Sequence, residues 1–469
     1  MKFRQGSDKG LGKGWIFIFL VFIAAIGIFG SKIFSHEAPV IKFSQQIKGI
    51  GKQTTIEFTV QDKAHSVRSV RLSIQQGGRI FPVPLVSQVH NVPSPPWWKF
   101  WAKRATSGGV FKVQIGHHSI PDLKEGRAAL DIVATNDSWG RFFRGGRSEV
   151  RLELPVQLHS PQIEDLTSQV YVAQGGCNLL IFKVSPGTTR SGIQVGGYYF
   201  PSYPVKPSLP DTRMCLFAFP YDMNPKTTAY IVASDEVGNK TVTTFSCTFV
   251  PQQFRKRKLL LPKSFLERAV PAILSHTPEL RDQGSLVKNF LMLDKRLAMI
   301  DSQLLVAYSE KTAPRFLWKG TFLRLPDSEA EAHFGDRRTF YYQGQFVDHE
   351  VHFGFDLASV DHAPIPAANS GVVVFAHYFG IYGNSILIDH GCGLQTLYGH
   401  LSSFAVKPGE HVTRGQIIGH TGETGLAEGD HLHFSVLVDG VFVNPLEWWD
   451  PNWIHTRITS KLAPYQSSQ

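Results

Sequence analysis

His352-Phe353-Gly354-Phe355-Asp356 and His431-Leu432-His433 are the two runs on which the reading of this chain turns. Successive side chains of a strand point to opposite faces, so residues two or four apart share a face. Read as strands, the first run sets His352 and Asp356 on one face and the second does the same for His431 and His433. Imidazole and carboxylate are N and O donors that zinc accepts. Three protein ligands leave a fourth position open, which marks a catalytic rather than a structural metal site. A lone HxH pair on a strand is more often a surface or core pair than a ligand pair, and HxxxD alone is weaker still. Two features raise the metal reading. The two runs hold three histidines and an aspartate where three ligands suffice, and a further histidine stands in Thr396-Leu397-Tyr398-Gly399-His400-Leu401. The segment between is dense in short, glycine-punctuated strands, which suits a rigid β scaffold.

Around these runs stand Pro364 and Ala367, Gly371-Val372, Tyr382-Gly383-Asn384, Ile388-Asp389-His390, Leu397-Tyr398-Gly399-His400-Leu401, Val412 to Gly419, and Thr424-Gly425. In this order and spacing, from about Trp318 to Trp449, they resemble the lysostaphin-like, LytM-type zinc metalloendopeptidases that cut peptidoglycan cross-bridges. The resemblance implies a two-sheet β domain of the duplicated-hybrid-motif type and a Zn2+ cofactor. It implies metal ligands His352, Asp356 and His433, and catalytic residues His400 and His431 beside the attacking water. A neutral imidazole can take the water's proton or donate a hydrogen bond to the developing oxyanion, and which histidine does which stays open. No HExxH motif supplies a helical glutamate base. A D,D-endopeptidase is the leading expectation, with the glycine bridge as the other bond class.

The chain departs from the family pattern in places. His362 precedes Ala363-Pro364 where the family usually has glycine. Ser435 follows His433-Phe434 where glutamate is frequent, a change expected to weaken support behind the metal-binding strand. His333-Phe334-Gly335-Asp336-Arg337 resembles the family's opening SFGxR turn, with His333 in place of a small residue. The stretch from Arg338 to His352 is long and aromatic (Phe340, Tyr341, Tyr342, Phe346) and is expected to rim the groove. The competing reading is a non-catalytic wall-binding protein, amidase activator or morphogenesis scaffold of the same fold. All five site positions are filled, which favours an enzyme. A peptidase of proteins rather than wall is a third, weaker option.

The 469 residues suggest about three domains, and the net charge of +10 suits an anionic surface. No nucleic-acid motif accompanies the charge. Gly14 to Gly30 is apolar and uncharged, continuing to Phe34, with Lys2, Arg4, Lys9 and Lys13 before it. At 1.5 Å per residue the core of this run spans about 26 Å, close to a hydrocarbon layer. The positive-inside rule then exports the rest. We therefore expect a cytoplasmic tail at 1–13, a signal anchor at 14–34, and the bulk of the chain in the periplasm or outside the cytoplasmic (inner) membrane. The expected partners are peptidoglycan, that membrane and cell-wall machinery proteins, and no nucleic acid.

The mainly β remainder divides into sandwiches at 36–158 and 159–251, a basic and helical linker at 252–317, the metallopeptidase domain at 318–450 and a tail at 451–469. Alternating runs such as Thr55 to Val60 and Val70 to Ile74 read as strands. A weak repeat supports tandem Ig-like modules: Ile132-Val133-Ala134 with Asp137 and Gly140 recurs as Ile231-Val232-Ala233 with Asp235 and Gly238. Ala233 to Asn239 looks like the last hairpin of bacterial Ig-like modules. Pro93 to Trp101, with its three tryptophans, reads as a loop folded over its own sandwich or as an interface loop. Of the four cysteines, Cys177 and Cys247 are placed to meet as a disulfide in an exported chain, and Cys392 reads as a buried small residue. Phe254 to Pro262 reads as a basic linker. Leu286, Phe290, Leu293, Leu297, Ile300 and Leu304 form one apolar stripe on a helix that packs on a neighbouring domain, with dimerisation or cover over the groove as alternatives.

Overall fold

The computed structural model describes residues 38–63, 65–85, 107–138 and 145–466. The anchor expected at 14–34, the tail at 1–13 and the tryptophan run at 93–101 lie outside the described residues. No helix among the described residues is long and apolar enough to cross a membrane. The chain forms two compact units, one ending at Ser160 and taking in Asp235–Asn239, the other comprising Pro161–Ser234 with Lys240–Gln469.

The first unit is a β-sandwich. One sheet has the strand order Val40–Phe43, Thr54–Asp62, Ser107–Ile115, and the other Arg79–Val83, Val67–Gln76, Gly126–Asn136, Arg147–Val156. Alternation makes the core. Ile56, Phe58 and Val60 of the first sheet and Leu72, Ile74, Leu130 and Ile132 of the second are buried in one cluster. Phe58 stands opposite Phe111 and their rings stack at 5.1 Å. Each such burial contributes roughly 1.5–3 kcal/mol.

The second unit begins with two more facing sheets, ordered Tyr203–Pro204, Thr212–Ala218, Cys177–Val184, Ile163–Asp165 and Tyr198–Pro201, Thr188–Val195, Ala229–Asp235, Lys240–Thr244. A parallel pair, Val170–Ala173 with Cys247–Val250, flanks them. The expected Cys177–Cys247 disulfide is absent, and both thiols are free. Cys177 lies opposite Ala218 in one sheet, whereas Cys247 lies opposite Val170 in another. The Cys177 N–H and S–H instead point at Glu447 Oε2, 2.9 and 3.4 Å away. Packing around this carboxyl lifts its pKa to about 8.

The basic stretch is not a free linker. Lys256–Leu260 is a strand parallel to Arg337–Tyr342, which forms a hairpin with Gln345–Val351. The aromatic segment expected to rim the groove is this hairpin. Phe340 is buried against Phe265, Phe290 and Leu293 of the helices, while Phe346 is exposed.

The apolar helical stripe is real as far as Leu297 and then changes face. Leu286–Met292 is α-helical, Leu293–Leu297 is a π turn, and Ala298–Ser309 is α-helical again. A π turn inserts one residue and rotates the helix beyond it. Phe290, Leu293 and Leu297 are buried as expected, but the stripe continues through Asp301 and Leu305. Leu304 is 42% exposed.

The C-terminal domain is built on a sheet ordered Glu329–Ala332, Phe355–Ala358, Leu432–Val438, Leu394–Gly399, Asn384–Gly391, Gly371–Tyr378, His411–Val412, with Val441–Val443 paired to Leu432–Val438. A small second sheet, Pro364–Pro366, Ile417–His420, Ser403–Phe404, completes it. Leu432, Phe434, Val436 and Val438 are all buried on the central strand. Covered on both faces, this strand holds its polar residues where neighbours can reach them.

Candidate metal centre

Three neighbouring strands set the centre by register. Asp356 lies directly opposite His433, and His433 lies opposite Gly399, which delivers His400 at the strand's end. His431 forms an isolated bridge with Gly422 just before the central strand. His431 and His433 thus keep the two-residue spacing expected of them. His352 does not share a strand with Asp356. Gln345–Val351 ends one residue earlier, and the chain bends through Phe353-Gly354 into Phe355–Ala358. Gly354 is required there, because a Cβ would lie 2.7 Å from ring atoms of His433.

The SFGxR-like turn carries His352. The His352 N–H donates to the Asp336 carbonyl at 3.0 Å, and the His352 carbonyl accepts from the Gly335 N–H at 2.7 Å. The Asp336 side chain is in turn held by Arg255 of the basic stretch at 2.8 and 2.6 Å.

His352, Asp356 and His433 are 3%, 8% and 4% exposed, and their ligand atoms lie within 4.8 Å of one another. His352 Nε2 and His433 Nδ1 stand 3.1 and 3.0 Å from the same oxygen, Asp356 Oδ1. Hydrogen bonding behind His433 fixes which nitrogen carries its proton. The Ser435 hydroxyl donates to the Phe353 carbonyl at 2.8 Å, so its oxygen accepts from His433 Nε2–H, also at 2.8 Å. Nδ1 of the neutral ring then carries a lone pair and faces a carboxylate oxygen. His352 Nε2 is buried and makes no hydrogen bond of ordinary geometry. Lone pairs that converge in a buried site without a shared proton are the donor set of a cation, so the residues fit a metal.

The second oxygen of Asp356 is held by Arg338 Nη2 at 2.7 Å, which leaves Oδ1 turned toward the histidines. Burial draws the His352 pKa down to about 3, keeping it in the neutral form that ligates metal.

His400 and His431, 6% and 8% exposed, stand beside this group with their rings 4.9 Å apart. The same device orients both rings. His400 Nδ1–H donates to the Thr424 carbonyl at 2.7 Å and His431 Nδ1–H to the Gly429 carbonyl at 2.9 Å. Each Nε2 is thereby left as the reactive nitrogen. Burial and the two other histidines hold His400 neutral. The structure therefore brings together all five residues singled out in the sequence.

Ser435, expected to weaken the site, instead supports it as the partner of His433 Nε2. Strand alternation alone places residue 435 on the face of residue 433, so this partner is readable from sequence. Arg338 is not readable as the partner of Asp356, since no local pattern announces a contact between different sheets. His362 has φ +56, the left-handed region glycine favours, which accounts for glycine at that position in the resembling family. Its N–H donates to Asp430 Oδ2 at 3.1 Å, tying the bend to the residue before His431.

Comparison with known proteins gives the same region. Residues 350–445, which include all five site positions, match peptidase family M23. The DD-carboxypeptidase/endopeptidase Mpg of Neisseria meningitidis serogroup B is 41% identical over 96 residues, 20% of this chain and 22% of that protein. The peptidoglycan DD-endopeptidase ShyC of Vibrio cholerae is 39% identical over 129 residues, 27% of this chain and 29% of that protein. The catalytic domain of the antimicrobial peptidase lysostaphin from Staphylococcus simulans is 27% identical, with 28% of this chain and 98% of that chain covered at a TM-score of 0.25. The matches to the two curated relatives thus span under a third of either protein's length. Residues 350–445 make the C-terminal domain of this chain a member of peptidase family M23, of the lysostaphin-like, LytM type.

Proposed function

We propose that this chain is a membrane-anchored, extracytoplasmic zinc metalloendopeptidase that hydrolyses peptide cross-links of peptidoglycan, with D,D cross-links as its substrate. The observation that carries the reading is the convergence of His352 Nε2, Asp356 Oδ1 and His433 Nδ1 as buried donors beside His400 and His431, whose Nδ1–H groups are already committed to backbone carbonyls. Zinc, held by His352, Asp356 and His433, would supply Lewis acidity toward a peptide carbonyl and toward water. The protein's own part is proton handling. His400, neutral with its Nδ1–H on the Thr424 carbonyl, can only accept at Nε2 and takes the proton of the attacking water. His431 donates from Nε2–H to the carbonyl oxygen as it gains charge, in its doubly protonated form, which the Asp356 carboxylate favours against burial. The proton is then passed to the departing amine as the C–N bond breaks. Arg338 and Ser435 keep the donors aimed.

The substrate assignment draws on the activities for which the Neisseria and Vibrio relatives are named. Anchoring rests on the apolar run from Gly14 to Gly30 behind four basic residues. The two pairs of facing sheets fit Ig-like modules. Gly126–Asn136 and Ala229–Asp235, which carry the repeated Ile-Val-Ala, are each third in their four-stranded sheet. Such modules would space the catalytic domain from the membrane or dock on wall or wall-machinery proteins.

The test is muropeptide release from purified peptidoglycan by the full chain. Release that is lost in His433→Ala and with a chelator supports the enzyme. Bound metal without release redirects the substrate assignment, and neither metal nor release overturns the catalytic reading in favour of a scaffold.

A further inference from the structure

We propose that Asp301, on the helix Ala298–Ser309, is a positioning residue for His400. It acts through the turn Gly380–Tyr382, and so makes the helical segment part of the active site. The proposal rests on His400 taking part in peptide hydrolysis. Asp301 lies outside residues 350–445, the stretch that matches the family.

Asp301 is 2% exposed, turned inward by the π turn one helical turn before it. Its Oδ2 accepts the Ile381 N–H at 3.0 Å. Gly380 has φ +47, and a Cβ there would overlap the Asp301 carboxyl, so the turn is shaped around this side chain.

The turn is a junction. The Ile381 carbonyl accepts the Leu426 N–H at 2.8 Å, and the Tyr382 carbonyl accepts the His400 N–H at 2.8 Å. Leu426 lies in the loop that also carries Thr424, whose carbonyl holds the His400 ring. The Thr424 hydroxyl ties that loop to the turn's far side, accepting the Asn384 N–H at 2.9 Å and donating to the Leu401 carbonyl at 3.0 Å. A second helix reaches the same loop. Arg268 of Lys263–His276 donates to the carbonyls of Glu423 and Ala427 at 2.9 and 2.6 Å.

His400 itself has φ +67, a conformation a side-chain-bearing residue keeps only when its surroundings enforce it. Those surroundings are the Tyr382 carbonyl on its backbone and the Thr424 carbonyl on its ring. Asp301 pins the turn from which both contacts are organised. His352 takes its place from the turn at Gly335-Asp336 and Asp356 from its strand. His433 meets the Tyr382 ring at 5.1 Å but is placed by its strand register and by Ser435, and none of the three hydrogen-bonds to this turn. Losing the Asp301 carboxyl leaves the half-buried Ile381 N–H without its acceptor and frees His400, while the hydrogen bonds that place the metal ligands stay intact.

The experiment measures cross-link hydrolysis by the full chain against substrate concentration, with bound metal and amide hydrogen exchange recorded on the same preparations. For Asp301→Ala we expect kcat to fall roughly 10- to 100-fold, with KM within about twofold and metal content unchanged. Exchange at Ile381, Tyr382 and His400 should quicken while Leu432–Val438 stays protected. Asp301→Asn keeps an acceptor of the same shape and should recover most of kcat. Gly380→Ala attacks the contact from the other side, should reproduce the loss, and decides the matter if Asp301→Ala does not fold. An active wild type whose Asp301→Ala and Gly380→Ala variants keep full kcat overturns the proposal. A wild type that cleaves no cross-link sinks the hydrolase reading instead. The exchange arm then still decides whether Asp301 holds His400, and unchanged exchange in Asp301→Ala overturns it.

Discussion

In the central sheet, Asp356 stands opposite His433 and His433 opposite Gly399, so residues far apart in sequence meet through register. In the helical segment, Asp301 reaches the turn before His400 because one extra residue at Leu293–Leu297 rotates the helix after it. Strand pairing fixes side-chain direction through a two-residue period that no single insertion alters without flipping a whole face. Helical facing accumulates over several turns, and a single π turn redirects everything downstream. The sheet therefore places Asp356 and His433, two of the three residues proposed to hold metal, and the rotated helix places the carboxyl group proposed to steady His400 beside them.

Substitutions in each region can break this contrast. The largest effect is expected in the sheet at a residue that is not a ligand. His400→Ala should retain bound metal yet lose roughly 10²–10⁴-fold in kcat, read from parallel metal and rate measurements. Metal loss alongside activity would blur the division between holding and reacting residues. In the helix, Leu305 is fully buried and Leu304 is 42% exposed, the reverse of the facing an unbroken helix gives. Leu305→Ala should destabilise by about 2–5 kcal/mol and Leu304→Ala by less than about 0.5 kcal/mol in denaturant unfolding. Equal costs would argue against the π turn.

Ser435→Ala tests support within the sheet. Removing the acceptor of His433 Nε2–H frees the ring's tautomer, and zinc affinity should weaken roughly 10- to 100-fold in competition with a chelator. The smallest effect is a slope. Burial raises Glu447 to about 8 from 4.5, so between those values the folded chain keeps a proton that the unfolded chain has released. Stability from this group is therefore full at low pH and falls as pH rises through that window, levelling above about pH 8. Glu447→Gln should flatten that part of the Tm–pH curve, and an unchanged curve would place the proton elsewhere.

The same contrast separates the legible parts of the sequence from the rest. His431 and His433 are readable because alternation is local. Ser435 is readable by the same rule as a residue on their face, but its support for the ring runs against the expectation. His352 and Asp356 do pair, though not along one strand: they meet across a bend at Gly354. Three features resist a local reading because their causes lie far along the chain. Phe254 to Pro262 looks like a linker, yet Lys256–Leu260 finds Arg337–Tyr342 as a parallel partner. Cys177 looks like half of a disulfide, yet Glu447 occupies its thiol. Ile300 and Leu304 complete the apolar stripe by spacing, and nothing in the letters Leu293-Asp294-Lys295-Arg296-Leu297 announces the turn that moves Asp301 and Leu305 into their place.

The central claim is that His352, Asp356 and His433 together hold one catalytic metal. The most direct measurement is zinc content per full chain after dialysis against metal-free buffer, for wild type and His433→Ala, with each shown to be folded. The account predicts about one zinc per wild-type chain and none in the variant, because a single three-donor site loses the ligand that its central strand supplies. Equal zinc in both proteins, or none in a folded wild type offered zinc in excess, would contradict it.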